Sequence, residues 1–148
     1  MAEQVKESQV RVACCQIEPR IGQKEENVEK TLRFIEEAVK KGAQIVVLPE
    51  LANTGYVFET RKEAFWLSEP VPEGQTTRLW EEVAKEHGIY IAVGITERDG
   101  KSLYNTEVLL GPEGYIGKYR KLHLWNREKL FFEPGDLGLP IFNTEVGR

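Results

Sequence analysis

The run Ile45-Val46-Val47-Leu48, closed by Pro49 and followed at once by Glu50, constrains this chain more than any other stretch. Four consecutive aliphatic side chains leave no polar face. The run therefore predicts a strand buried on both sides, as in the interior of a parallel sheet. Pro49 cannot donate to a ladder and ends it. Upstream, Val10 to Ile17 alternates as a first strand, with Val10, Val12, Cys14 and Gln16 on one face and Arg11, Ala13, Cys15 and Ile17 on the other. Between the two strands, Lys24 to Lys41 places Val28, Leu32, Ile35, Ala38 and Val39 at helical spacing. Glu25 and Glu26 open that helix, Lys40 and Lys41 close it, as its dipole favours, and Gly42 caps it. Strand, helix and strand make a βαβ unit with a right-handed crossover.

The rest of the chain extends this unit into a mixed sheet. Thr60 to Leu67 predicts a short helix, and Pro70, Pro72 and Gly74 a stiff loop. Thr76 to His87 predicts a second long helix, ended by Gly88. Strands follow at Ile89 to Ile95, Leu103 to Leu110 and Tyr115 to Lys121, joined by hairpin turns at Arg98-Asp99-Gly100-Lys101 and Gly111-Pro112-Glu113-Gly114. Lys121 to Gly138 reads as irregular, and Ile141-Phe142-Asn143 as the start of one more strand. The fold class is α/β, with helices on one face of the sheet and the other face in need of cover. The 148 residues suit one domain, here 10–148, preceded by a polar, frayed tail over 1–9.

Composition removes several function classes. Acidic residues outnumber basic ones 24 to 20, a net charge of −4, which argues against a nucleic-acid partner. No stretch approaches the ~20 apolar residues of a membrane helix. The N-terminus has no signal-peptide core, and the two cysteines, Cys14 and Cys15, are adjacent. Neighbours in a strand point to opposite faces, so a bond between them is not expected and a reducing cytoplasm is. Neither makes a convincing nucleophile, because an apolar strand interior raises a thiol pKa. Two isolated histidines with these cysteines do not make a zinc site, and no GxGxxG follows the first strand.

Two ionisable residues, Glu50 and Lys121, stand where α/β sheets build sites, at or just past strand ends, and a third, Glu128, follows in the irregular segment. Glu50, after four apolar residues and a proline, is expected where solvent access is poor, which makes a carboxyl a better base near neutrality. The alternative is a carboxylate capping a loop. Lys121 ends an alternating strand and can hold its ammonium over a developing oxyanion. It is also one of several lysines and arginines in that stretch. Glu128, seven residues on, can hold that lysine charged and oriented, or can form a surface pair with Arg127 or Lys129. Position alone leaves both readings of each residue open.

Several stretches taken together resemble the N-terminal half of the nitrilase superfamily, the carbon–nitrogen hydrolases. They are Leu48-Pro49-Glu50-Leu51 with Thr54-Gly55-Tyr56, Leu103-Tyr104-Asn105-Thr106, Gly117-Lys118-Tyr119-Arg120-Lys121 with His123-Leu124, and Phe132-Glu133-Pro134-Gly135-Asp136. The resemblance runs from about Val10 to Arg148. It implies a nitrilase-like α-β-β-α sandwich, of which this chain holds only the N-terminal part.

The resemblance also implies roles. Glu50 matches the general base, Lys121 the oxyanion-stabilising lysine, Glu128 the supporting second glutamate and Tyr56 a residue near the pocket. The implied reaction is thiol-based hydrolysis of a non-peptide carbon–nitrogen bond in an amide, N-carbamoyl compound or nitrile, through a thioester and without metal or organic cofactor. The Lys-x-His-Leu run followed by Glu128 and Pro-Gly-Asp is more like the amidase and carbamoylase branches than nitrilases. The family's nucleophilic cysteine belongs to a strand after the Phe142-to-Arg148 region, so the chain by itself is expected to be inactive. Family members are commonly homo-oligomers, and pairing with a C-terminal half is the other expected partnership. The competing expectation is a non-catalytic half-domain that binds or regulates a partner chain.

Overall fold

The computed structural model describes residues 9–148, so most of the expected 1–9 tail lies outside the described residues. Five strands form one sheet in chain order. They are β1 (Val12–Cys14), β2 (Ile45–Val47), β3 (Tyr90–Asp99), β4 (Ser102–Gly111) and β5 (Gly114–Arg120). The first two pairings are parallel and the last two antiparallel. The parallel pairs are those whose connections carry helices, α1 (Lys24–Lys40) in the first and α2 (Arg61–Leu67) with α3 (Gln75–His87) in the second. The antiparallel pairs are hairpins.

The three helices arise from local chemistry. In α1 the apolar stripe buries Val28, Ile35 and Ala38, and the chain leaves the helix through Gly42 in the left-handed region. Thr60 caps α2 by accepting from the Glu63 N–H at 3.1 Å. In α3, Trp80 is wholly buried, and its indole N–H donates to Thr31 of α1 at 2.7 Å. While α2 packs through Ala64 in a separate cluster with Phe58, Leu103 and Phe131, helices α1 and α3 cover one face of the sheet. Ile35, Trp80 and Ala84 pack there on Val46, Leu48, Ile91, Val93, Ile95, Val108 and Leu110.

The opposite face is only partly covered, which corrects the sequence expectation for Ile45 to Leu48. Val46 and Leu48 are buried, whereas Ile45 and Val47 are half-buried. Cross-strand register extends this face through Val12 and Cys14 on β1, Ala92 on β3 and Leu109 on β4. Val12 is 49% exposed. The apolar run thus reflects a strand meant for cover on both sides, with helices supplying it on one. A contiguous apolar face of this kind is rarely left bare in a monomer. The 148-residue chain produced by itself is therefore expected to elute from a sizing column above its monomer mass, and a sharp monomer peak would contradict this.

Two other expectations are corrected. β1 is three residues long instead of eight, since β2, its one partner, is itself only three residues long. The strand expected at Ile141 to Asn143 is absent; the backbone pairing found nearby is an isolated bridge between Thr144 and Gly147. Phe142 instead lays its ring on Gly117 of β5, where any Cβ would collide with it.

Candidate active site

Strand alternation sends Arg120 and Lys121 to opposite sides of the sheet, and both are anchored. Arg120 enters a buried cluster on the helix-covered side. Glu97 accepts from Arg120 Nε at 3.0 Å and Nη2 at 2.5 Å, from Lys118 Nζ at 2.5 Å and from Thr106 Oγ1 at 2.5 Å. Arg120 further reaches Asp99 and Asp136, each at 2.9 Å, and its guanidinium lies 3.8 Å from the Tyr104 ring centre. Burial works against the Glu97 carboxylate, but Arg120, Lys118 and Thr106 outweigh it and hold its pKa below the usual glutamate range. This cluster fixes the end of β5 and so the residue after it.

Lys121 emerges on the open face. Its Nζ donates to Glu50 Oε1 at 2.7 Å and to Glu128 Oε1 at 2.9 Å. Burial disfavours its charge, yet the two carboxylates more than compensate and hold its ammonium above the usual lysine range. Glu128 sits in a 3₁₀ helix, Asn126–Leu130, and its side chain is 4% exposed. Its Oε1 also accepts from Tyr56 OH at 3.0 Å and Asn105 Nδ2 at 3.1 Å, and its Oε2 from the Trp125 N–H. Burial would raise the Glu128 pKa, but these donors hold it low. Tyr56 is pushed up to about 12, first by burial and then by its bond to Glu128.

Glu50 is placed by a loop that turns across the sheet. Leu48 N–H bonds Ala92, Gly94 N–H bonds Pro49, and Ala52 N–H bonds Gly94, so the chain runs directly over Gly94. A Cβ on Gly94 would lie 2.6 Å from both Glu50 Cα and Leu51 N. Leu51 adopts φ 49°, a strained value for a branched residue, and is held by complete burial against Phe58, Leu103, Phe131 and Phe132. The Glu50 side chain is 42% exposed, contrary to the poor solvent access expected from its apolar neighbours. The reason is that it projects from the loop toward the open face. Its Oε1 takes both Lys121 and Asn105 Nδ2, the latter at 2.6 Å, while Oε2 has no hydrogen-bond partner among the described residues.

The structure thus brings Glu50, Lys121 and Glu128 into one connected group with Tyr56 on its edge. Tyr56 and Glu128 also line an aromatic-walled cavity of about 190 Å³ with Phe58, Trp125 and Phe131. Asn105 joins the two glutamates and is a site residue that the sequence expectations above lack. Its signal was an amide, a poor strand former, in the middle of an apolar strand. Chemically the group offers a carboxylate with a free oxygen beside an ammonium whose charge both glutamates favour. Cys14 and Cys15 are unbonded thiols on β1 and the residue after it, separate from this group. Among the described residues, no three His, Cys, Asp or Glu side chains are grouped to hold a metal ion, and no helix is long and apolar enough to cross a membrane.

A family model described as carbon–nitrogen hydrolase matches residues 11–148. A protein named nitrilase from Pyrococcus abyssi is 53% identical over 134 residues, covering 90% of this chain and 51% of its own length. The omega-amidase NIT2 of Homo sapiens is 40% identical over 136 residues, covering 84% of this chain and 48% of its own. A crystal structure of an N-terminal amidase with an Asn-Glu-Ala peptide superposes with a TM-score of 0.76 at 28% identity, over 84% of this chain and 31% of that one. An amidase from Nesterenkonia sp. shares the fold, with a TM-score of 0.75 at 22% identity, over 94% of this chain and 52% of its own. The chain spans about half the length of the curated relatives it matches.

Proposed function

The chain belongs to the carbon–nitrogen hydrolase family, and from that premise we propose that it supplies the base and oxyanion side of an active site that hydrolyses a non-peptide carbon–nitrogen bond. Residues 10–148 then form the N-terminal half of the hydrolase domain. The nucleophile is a cysteine from polypeptide outside these 148 residues. The observation that carries the reading is the bridge from Lys121 to both Glu50 and Glu128. An isolated surface lysine would have no buried carboxylate holding it beside a half-free one.

The chemistry follows from the free oxygens. Glu50 takes the thiol proton, and the thiolate attacks the carbon of an amide or N-carbamoyl group. The electron pair of the C=O bond moves to oxygen, where the Lys121 ammonium stabilises the negative charge. As the C–N bond breaks, Glu50 returns its proton to the departing ammonia or amine. Glu50 then accepts a proton from water attacking the thioester, which releases the acid and regenerates the thiol. Glu128 touches no reacting atom. It keeps Lys121 charged and aimed, and with Asn105 it fixes the distance between lysine and base. Tyr56 closes one wall of the pocket. No metal or organic cofactor enters the scheme. The amidase or carbamoylase branch is the preferred substrate class, ahead of nitriles. A reducing cytoplasm would suit the thiol, and assembly takes the form of a homo-oligomer or of pairing with the half that bears the cysteine.

The test is ammonia release from a panel of amides, N-carbamoyl compounds and nitriles by the complete enzyme, these residues together with the polypeptide that supplies the cysteine. Release from amides or N-carbamoyl compounds is expected, and none is expected from the 148 residues alone. No release from any compound by the complete enzyme would refute the reading.

The Glu50 loop gives a sharper prediction. Gly94→Ala places a methyl group against backbone atoms that have no flexible side chain to yield. Overpacking costs about 1–3 kcal/mol of stability. The larger effect is catalytic, since displacing a reacting group by about 1 Å can cost ~100-fold in rate. Turnover measured beside a thermal melt should show a folded, nearly inactive variant.

A further inference from the structure

One carboxylate on the reactive face has no role so far. Glu107 lies on β4, two residues from Asn105, and pairs across to Gly94 on β3 and Tyr119 on β5. Residues two apart in a strand share a face, so Glu107 stands on the open side with Asn105. Gly94 is where the main chain of Glu50 rests on the sheet. Directly opposite positions have Cβ atoms about 5 Å apart, which puts Glu107 beside the Glu50 backbone. It lies about 7 Å, two strand residues, from the Asn105 and Lys121 row.

Its surroundings are unusual for an acid. The buried glutamates of the described residues are each matched: Glu97 by Arg120 and Lys118, Glu69 by Lys24 and Thr76, Glu128 by Lys121, Tyr56 and Asn105. Glu107 is half-buried and has no hydrogen bond or ion pair among the described residues. Along the same face β3 places Ala92, Gly94 and Thr96, the last with its hydroxyl bonded to Thr54, and β4 continues to Leu109. Tyr119 on β5 accepts from the Leu122 N–H and makes no hydrogen bond to Glu107, and Lys121 is spent on Glu50 and Glu128. Burial first, and the charge of Glu50 second, push the Glu107 carboxyl up to about 8. The ionised form of a carboxyl so placed is costly unless a cation comes to pair with it.

We propose that Glu107 is a specificity-determining residue that accepts a cationic group of the substrate, held one strand pleat from the carbon under attack. This rests on the hydrolase reading above and narrows it to amides or N-carbamoyl amines that carry an ammonium or similar charge at the end of a short alkyl chain. Binding the cation requires the ionised carboxylate. Preference for a cationic substrate therefore grows as pH rises toward about 8, where Glu107 loses its proton. Glu50, Glu128 and Lys121 face Glu107 from the Asn105 row as a mutually paired group, Tyr119 stands opposite it on β5, and Cys14 on the open face of β1 lies beyond β2.

The test uses the complete enzyme and a matched pair of probes, an ω-amino amide and the ω-hydroxy amide of equal chain length, followed by ammonia release. The native enzyme should favour the amino compound in kcat/KM by roughly tenfold or more, chiefly through KM, and increasingly toward pH 8. E107Q and E107A, both checked for folding by thermal melt, should bring the ratio close to one and flatten its pH dependence. A native enzyme without preference, or a preference kept in both variants, overturns the assignment. Failure of the hydrolase reading looks different, because then neither amide releases ammonia from any of the proteins.

Discussion

Lys121→Ala in the complete enzyme is expected to lower kcat by on the order of 100- to 1,000-fold, the range seen when one preorganised oxyanion donor is removed. KM should change little, because the ammonium is wanted most when charge develops on oxygen. Removing it also leaves the Glu50 and Glu128 carboxylates facing each other across Asn105, without the cation both share at 2.7 and 2.9 Å. Glu50→Gln removes the proton acceptor and should cost about 100- to 10,000-fold, with the fold intact because the amide can still accept from Asn105 and Lys121. Steady-state ammonia release, with a melt to confirm folding, checks both. Undiminished turnover in either variant would remove that residue from the mechanism.

The largest effect on stability is expected at Glu97. Its side chain is 1% exposed and receives Arg120, Lys118 and Thr106. Glu97→Ala leaves two cations facing a cavity, and breaking a buried pair from one side typically costs about 3–5 kcal/mol. Denaturant unfolding of the variant should show a loss of that size. Asp99→Asn, at the exposed end of the same arginine, should cost under about 1 kcal/mol. The pH dependence has a definite sign. The folded Glu97 pKa lies below its unfolded value. Its contribution is therefore in place above the ordinary glutamate range and is lost as pH falls through the lowered value. Glu97→Gln should flatten the stability profile in that acidic window and leave neutral pH the region of greatest difference. Equal acid sensitivity in both proteins would contradict this.

Much of this arrangement was legible in the sequence because it is periodic. The stripe of Val28, Ile35 and Ala38 and the left-handed glycines at Gly42 and Gly88 set α1 and α3 to within a residue or so, whereas β3 runs on to Asp99, past the end expected at Ile95. The convergence of Glu50, Lys121 and Glu128 was anticipated from strand ends together with family resemblance; position alone left each open to a structural reading. What escaped depends on distant partners. Ile45 and Val47 look as buried as Val46 in sequence, and only the one-sided placement of the helices distinguishes them. Ile141 to Asn143 has strand-like residues but spends Phe142 on Gly117 in place of a backbone ladder. Asn105 and Gly94 shape the site through contacts across the sheet with Glu50, and no local pattern announces such contacts.

In the proposed site a base at Glu50 and an ammonium at Lys121 await a sulfur from outside these residues. Intact-mass and peptide mass spectrometry of the complete enzyme, quenched during amide turnover, tests it most directly. An acyl adduct on a cysteine beyond Arg148, present in the native protein and lost in Glu50→Gln, is the expected result. Turnover with an adduct on Cys14 or Cys15, or with no adduct on any cysteine, would contradict it.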